Sequence, residues 1–147
     1  MSNWEVPVRD AMTTQLLVIE QNQKLGAADE MMRAGRVRHI LAVDEDGTLQ
    51  GVLSQRDVFH GGLLKALGYG TRARQQALDA LRVKDAMTAQ PVTTTPDTSL
   101  RDAAQVMAER KLGCLPVLEG DRLVGILTEG DMVLLIAGRK PAAGAAA

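Results

Sequence analysis

Apolar positions fall at helical spacing twice along this chain, at Leu25, Ala28 and Met32 and again at Leu100, Ala103 and Met107. Residues at i, i+3 and i+7 share one face of an α-helix, so an amphipathic helix is predicted over about 24–34 and another over about 99–112. Gly35 and Gly113 follow as stops, and Thr98 or Ser99 can cap the second helix. A short β-prone run precedes each helix, Leu17-Val18-Ile19 and Val92-Thr93-Thr94. Two more follow each helix around a turn. They are His39 to Val43 and Gln50 to Leu53 about Asp44-Glu45-Asp46-Gly47, then Leu115 to Leu118 and Leu123 to Leu127 about Glu119-Gly120-Asp121. The last strand of each set runs straight into a further helix at Ser54 or Thr128. The order β-α-β-β-α, met twice, predicts an α+β fold of small sheets with helices on one face.

The two sets also repeat residue by residue. Val8-Arg9-Asp10-Ala11-Met12-Thr13 returns 75 positions on as Val83-Lys84-Asp85-Ala86-Met87-Thr88. Gly51-Val52-Leu53-Ser54-Gln55-Arg56-Asp57 returns 74 positions on as Gly125-Ile126-Leu127-Thr128-Glu129-Gly130-Asp131. Two copies of so long a unit are not a solenoid, which needs at least three short ones. They predict two pseudo-symmetric half-domains that fold against each other, because about 60–75 residues are marginal alone. In chain order the expected parts are 1–70, the first repeat with its closing helix; 71–82, a connecting helix; 83–138, the second repeat; and 139–147, a flexible Ala/Gly-rich tail. The closing helix of the first repeat is expected to break at Gly61-Gly62 and end near Gly68, and the connecting helix to span about 72–81. Trp4 precedes one copy where this helix precedes the other, so the two lead-ins differ.

Composition removes several function classes. Seventeen basic side chains against eighteen acidic ones leave no footprint for nucleic acid or an anionic membrane. One Trp, one Tyr and one Phe are too few for a base-stacking platform. No apolar run nears the ~18–20 residues of a membrane span, and Met1-Ser2-Asn3-Trp4-Glu5 lacks the basic and apolar regions of a secretory signal. A cytoplasmic protein is expected. Cys114 is the one cysteine, so it can form neither an intrachain disulfide nor a multi-thiolate metal site, and on a strand it reads as a small buried hydrophobe. His39 and His60 lack metal-ligand spacing, and the acidic turn at 44–46 lacks that of an EF-hand.

The candidate chemistry lies where strands turn into helices. In Ser54-x-x-Asp57 and Thr128-x-x-Asp131 a carboxylate could accept hydrogen bonds from vicinal ribose hydroxyls, while the hydroxyl and first-turn N–H groups face a phosphate. The same pattern is a helix capping box, worth about 1 kcal/mol with no ligand at all. Arg36, Arg38, His39 and Arg56 form the basic cluster near these motifs, suited to phosphate or to a solvated surface.

These residues carry a family resemblance over about 6–138. Asp-Ala-Met-Thr before each copy, Gly113-Cys114-Leu115-Pro116-Val117, Arg38-His39-Ile40-Leu41-Ala42-Val43 and the two Gly-to-Asp motifs are similar to those of tandem cystathionine-β-synthase (CBS) domains, the Bateman module. Leu41 stands where the family usually has proline. The resemblance implies an adenosine-nucleotide sensor (AMP, ADP or ATP) needing no cofactor, a disc-shaped homodimer, and an unidentified regulated protein in trans. It implies a ligand between the halves, with Thr128 and Asp131 opposite Arg38, His39 and Arg56 as the better-equipped site. Asp57, with Ser54, would face Gly113, Cys114 and Gly130, with Lys111 the nearby base. Thr13 belongs to the implied ligand set. Ile19, Ile40, Thr94 and Leu115 could sandwich an adenine ring or simply fill the core. The competing readings are a dimeric interaction scaffold with vestigial sites, and an enzyme. Against the enzyme, the sequence offers no nucleophile–base pair with an orienting group and no P-loop.

Overall fold

The computed structural model describes residues 4–66 and 70–139. Their contacts divide into two compact units. One, the middle unit, runs from Leu17 to Pro91. The other, the terminal unit, joins the described residues up to Leu16 with those from Val92 onward.

In the middle unit β1 (Val18–Glu20) leads to α1 (Leu25–Gly35), then to β2 (His39–Val43), β3 (Leu49–Ser54) and α2 (Gln55–Ala66). After these come α3 (Gly70–Ala80), the single turn α4 (Val83–Ala86) and β4 (Thr88–Ala89). The sheet order is β1-β2-β3-β4, with β1 parallel to β2 and the other pairs antiparallel. The predicted helix stripe lies in the core: Leu25, Ala28 and Met32 are buried with Ile19, Ile40, Leu53, Val58, Leu78 and Val83.

The terminal unit repeats this plan with α5 (Leu100–Arg110), β5 (Cys114–Glu119), β6 (Arg122–Thr128) and α6 (Glu129–Ile136). Its β5–β6 hairpin is flanked by single bridges, Thr94 parallel to Val117 and Thr13 antiparallel to Ile126. Leu100, Ala103 and Met107 are buried with Val8, Ala11, Leu115, Val117 and Leu127.

Each opening segment joins the strand of the other copy. In the terminal unit the amides of Val8 and Arg9 donate to the carbonyls of Thr98 and Pro96, at 2.8 and 3.0 Å. The repeat of that pair is Val83 and Lys84 donating to Gln23 and Gln21, both at 2.9 Å. Thr13 and Ile126 exchange two backbone bonds of 2.9 Å, and Thr88 pairs with Val52 in the same register. The glycine that opens each repeated motif permits this approach. A methyl on Gly125 would stand 2.7 Å from Met12 Sδ and 3.1 Å from the Thr13 carbonyl oxygen; on Gly51, 2.6 Å from Met87 Sδ and 2.7 Å from the Thr88 carbonyl oxygen.

Four local expectations change. The run Val92-Thr93-Thr94 makes one bridge instead of a strand, because Pro91 and Pro96 bracket it and a proline cannot donate to a ladder. Both long helices end on a left-handed basic residue instead of glycine, Arg36 (φ 52) and Lys111 (φ 55). The apolar residue that follows must return to the core, and its amide closes the last turn: Val37 donates to Met32 and Leu112 to Met107. Ser99, not Thr98, caps α5 by accepting from the Asp102 amide at 3.1 Å. Helix α2 continues through Gly61 and Gly62; its expected end near Gly68 and the expected tail beyond Arg139 lie outside the described residues.

Gly125→Ala and Gly51→Ala are each expected to destabilise the protein by about 1–3 kcal/mol in urea unfolding, as overpacking does. Gly130→Ala meets only Thr128 Oγ1, at 3.5 Å, and should be neutral or stabilising. Equal effects at all three glycines would contradict the crossed packing.

Candidate functional site

Both repeated motifs fold as capping boxes at a strand-to-helix corner. At the end of β3 the Ser54 amide donates to Asp57 Oδ2 at 2.8 Å, and the Asp57 amide donates to Ser54 Oγ at 3.0 Å. At the end of β6 the Thr128 amide donates to Asp131 Oδ2 at 2.9 Å, and the Asp131 amide to Thr128 Oγ1 at 3.2 Å. The capping reading of these residues therefore holds at both corners, and it leaves open what else each carboxylate can reach.

Here the corners part. Asp131 is 4% exposed, and its second oxygen, Oδ1, accepts from the Thr13 hydroxyl at 2.8 Å. Burial raises the Asp131 carboxyl above its ordinary 3.8, although the Thr128 backbone N–H and the hydroxyls of Thr13 and Thr128 pull it down. Desolvation wins. Asp57 is only partly buried, and Thr88, the repeat of Thr13, is exposed with no bond to Asp57 among the described residues.

The other candidates sort by unit. The middle unit holds Ile19, Arg38, His39, Ile40, Ser54, Arg56 and Asp57, and the terminal unit holds Thr13, Thr94, Cys114, Leu115, Thr128 and Asp131. The Arg38 carbonyl accepts the Gln55 amide at 2.8 Å, where α2 begins. Arg36, Arg38 and Arg56 are exposed, while His39 is half-buried opposite Ser54 in the β2–β3 ladder. Ile19, Ile40 and Leu115 are taken up by core packing, at 6%, 0% and 1% exposure, and Thr94 is buried at its bridge. Cys114 is buried opposite Thr128 on β5; burial, then the charge of Glu129, pushes its thiol up to about 12, so it stays protonated and is no nucleophile. Among the described residues no group of His, Cys, Asp and Glu could hold a metal ion, and no helix is long and apolar enough to cross a membrane. The contact that sequence reasoning missed is Thr13 with Asp131. Its signal is present, a threonine ending each opening segment, but it is readable only once the opening segment is known to lie on the other copy's strand.

A doubled β-α-β-β-α fold with a capped Asp at each strand-to-helix corner is that of a tandem CBS pair. The CBS-domain profile matches residues 8–62 and 83–138, and the chain belongs to the CBS-domain family. It is 33% identical over 128 residues to the CBS domain-containing protein YhcV of Bacillus subtilis, covering 86% of this chain and 83% of that one. Among solved structures it is similar to CBSX2 in complex with AMP, with a TM-score of 0.72 and 29% identity over 90% of this chain and 97% of that chain. It also matches a homoserine O-acetyltransferase of Methanosphaerula palustris, 30% identical over 135 residues, but that match takes in only 24% of the enzyme. CBS-pair proteins of this size are in general regulatory and not catalytic.

The raised carboxyl of Asp131 sets a pH dependence. The folded state keeps a proton over a range where the unfolded chain has lost it, so this group's contribution to stability falls as pH rises through that range. Asp131→Asn lacks the titration. The stability of the wild type relative to that variant is expected to decline as pH rises above the ordinary carboxylate range in urea unfolding; a constant difference would contradict the burial of the charge.

Proposed function

We propose that this chain is a regulatory module that binds an adenosine nucleotide (AMP, ADP or ATP) as ligand, needs no cofactor, and acts on a partner protein in trans in the cytoplasm. The observation that carries the reading is the Ser54–Asp57 corner. It presents a partly exposed carboxylate, the first-turn amides of a helix and two exposed guanidinium side chains, Arg38 and Arg56, in one unit. A carboxylate suits the ribose diol, and amides with guanidinium groups suit a phosphate. The likeness to CBSX2 in complex with AMP supports the same ligand class. The scaffold reading draws on Asp131, whose two oxygens are both engaged.

We also propose a homodimer that buries the outer face of α5 and α6. Ala104, Ala108, Met132, Leu135 and Ile136 line a depression of about 470 Å³ there beside Trp4, and Val133 and Ile136 are 64% and 68% exposed. In the middle unit the matching face is covered by α3, whose Leu78 is fully buried. A second copy supplies the missing cover.

AMP at about 100 times its dissociation constant is expected to stabilise the protein by about 2.7 kcal/mol in thermal unfolding, with no effect from GTP. Absence of any shift with AMP, ADP and ATP favours the scaffold. In sedimentation the protein should be a dimer and Ile136→Asp a monomer; equal masses would contradict the interface.

A further inference from the structure

We propose that the middle unit holds a separate ligand site, at the far end of its sheet from the Ser54 corner, for a small zwitterion of the class of a free α-amino acid. Glu20, Lys24, Gly26, Glu30, Asp79 and Arg82 line a cavity of about 450 Å³ there. They come from the end of β1, the start of α1, the end of α3 and the residue before α4. Small-molecule sites occupy roughly 300–1,000 Å³. Glu20 pairs with Val43 beside the β2–β3 turn, whereas Ser54 pairs with His39 at the other end of those strands.

The fold does not need these charges. At the matching positions of the other copy, 75 residues away, Thr95, Ser99, Gln105, Trp4 and Pro7 stand for Glu20, Lys24, Glu30, Asp79 and Arg82, and all are uncharged. The backbone is the same. Lys24 bridges Arg82 as Ser99 bridges Pro7, and the Leu25 amide donates to the Leu81 carbonyl as that of Leu100 does to Val6, both at 2.8 Å. Gly26 is the reverse case, with Arg101 in its place in the other copy. A methyl on Gly26 would stand 3.1 Å from Asp79 Oδ1, so the bare backbone lets that carboxylate lie over the start of α1. Part of the charge set opposes stability. Lys24 and Arg82 are like charges directly opposite each other across a bridge, an arrangement that destabilises a pair of strands.

None of the five charges forms an ion pair with another described residue. Glu20 is spent on its own turn, accepting from the Asn22 amide at 2.8 Å and the Asn22 side-chain nitrogen at 2.9 Å. The other four keep most of their capacity. Arg82 gives one guanidinium nitrogen to the Asn22 carbonyl, and Asp79 takes a long bond of 3.4 Å from Gln75. The side chains of Lys24 and Glu30 make no hydrogen bond among the described residues. Glu30 stands one turn beyond Gly26 on the same face of α1, the face over which Asp79 lies. The lining thus offers two carboxylates to an ammonium and two cations to a carboxylate. A simple cation would meet Lys24 and Arg82 unanswered, and a simple anion Glu30 and Asp79; a zwitterion answers both pairs. No aromatic side chain lines the cavity, which suits a small polar ligand.

Thermal unfolding of the full chain with each common L-amino acid tests the site, with the matching α-hydroxy acid and the decarboxylated amine as controls. At least one amino acid should raise the melting temperature saturably, and neither of its controls should. In calorimetric titration Lys24→Ser and Glu30→Gln should each bind that amino acid roughly tenfold more weakly. Ser99 and Gln105 already serve at those positions of the other copy, so both variants should melt, without ligand, no lower than wild type. No saturable shift with any amino acid would overturn the proposal. So would an amine that binds as well as its amino acid, which marks a plain cation site, or an affinity that both substitutions leave unchanged. No nucleotide is present in these measurements, so their outcome is independent of the nucleotide reading.

Discussion

A methionine lying on a bare glycine, at the edge of a short β-ladder, is the constraint on which both units depend. Met12 covers Gly125 and Met87 covers Gly51, each beside backbone pairing that brings an opening segment to a strand of the other copy. Any Cβ at the glycine would drive the segment off. With it would go Val8 and Ala11 in one unit and Val83 in the other, all fully buried. Burial of such side chains is worth about 1.5–3 kcal/mol for a valine-sized group, a large share of a fold's net stability. Each unit takes its opening segment from the other copy, so neither repeat finishes its own core. The entropic cost of closing the longer loops grows only logarithmically with length, which makes the exchange affordable.

The same exchange sets the chemistry of the corners. It carries Thr13 to Asp131 and Thr88 to the strand beside Asp57, in one register, yet only Thr13 reaches its carboxylate. A hydrogen bond to a charged group contributes about 1.5–3 kcal/mol, and the desolvation of a carboxylate costs several. The upward displacement of the Asp131 carboxyl says which is larger. Its charge is tolerated because three donors surround it, not because the site favours it. Asp57 is only partly buried, and its second oxygen carries no bond among the described residues.

Much of this was legible in the residues. The stripe Leu25, Ala28, Met32 and its repeat placed both core helices to within two residues, and the turn residues placed both hairpins. Serine and threonine three residues before aspartate marked both helix starts. What stayed hidden was non-local. Periodicity within a segment says nothing about which strand an opening segment will join, so the crossing and the Thr13–Asp131 bond were out of reach. Helix ends were misjudged for a related reason: the return of Val37 and Leu112 to the core decided where the left-handed residue fell, and overrode the preference for glycine. Pro91 and Pro96 were visible signals that the β-prone run between them would not become a strand.

The central claim, that the Ser54–Asp57 corner meets an adenosine nucleotide, is tested most directly by following backbone amides in solution as AMP is added. Saturable chemical-shift changes centred on Gln55, Arg56 and Asp57, with Glu129, Gly130 and Asp131 unmoved, are the expected result. Changes centred on Glu129 to Asp131, with the Ser54 corner silent, would contradict it.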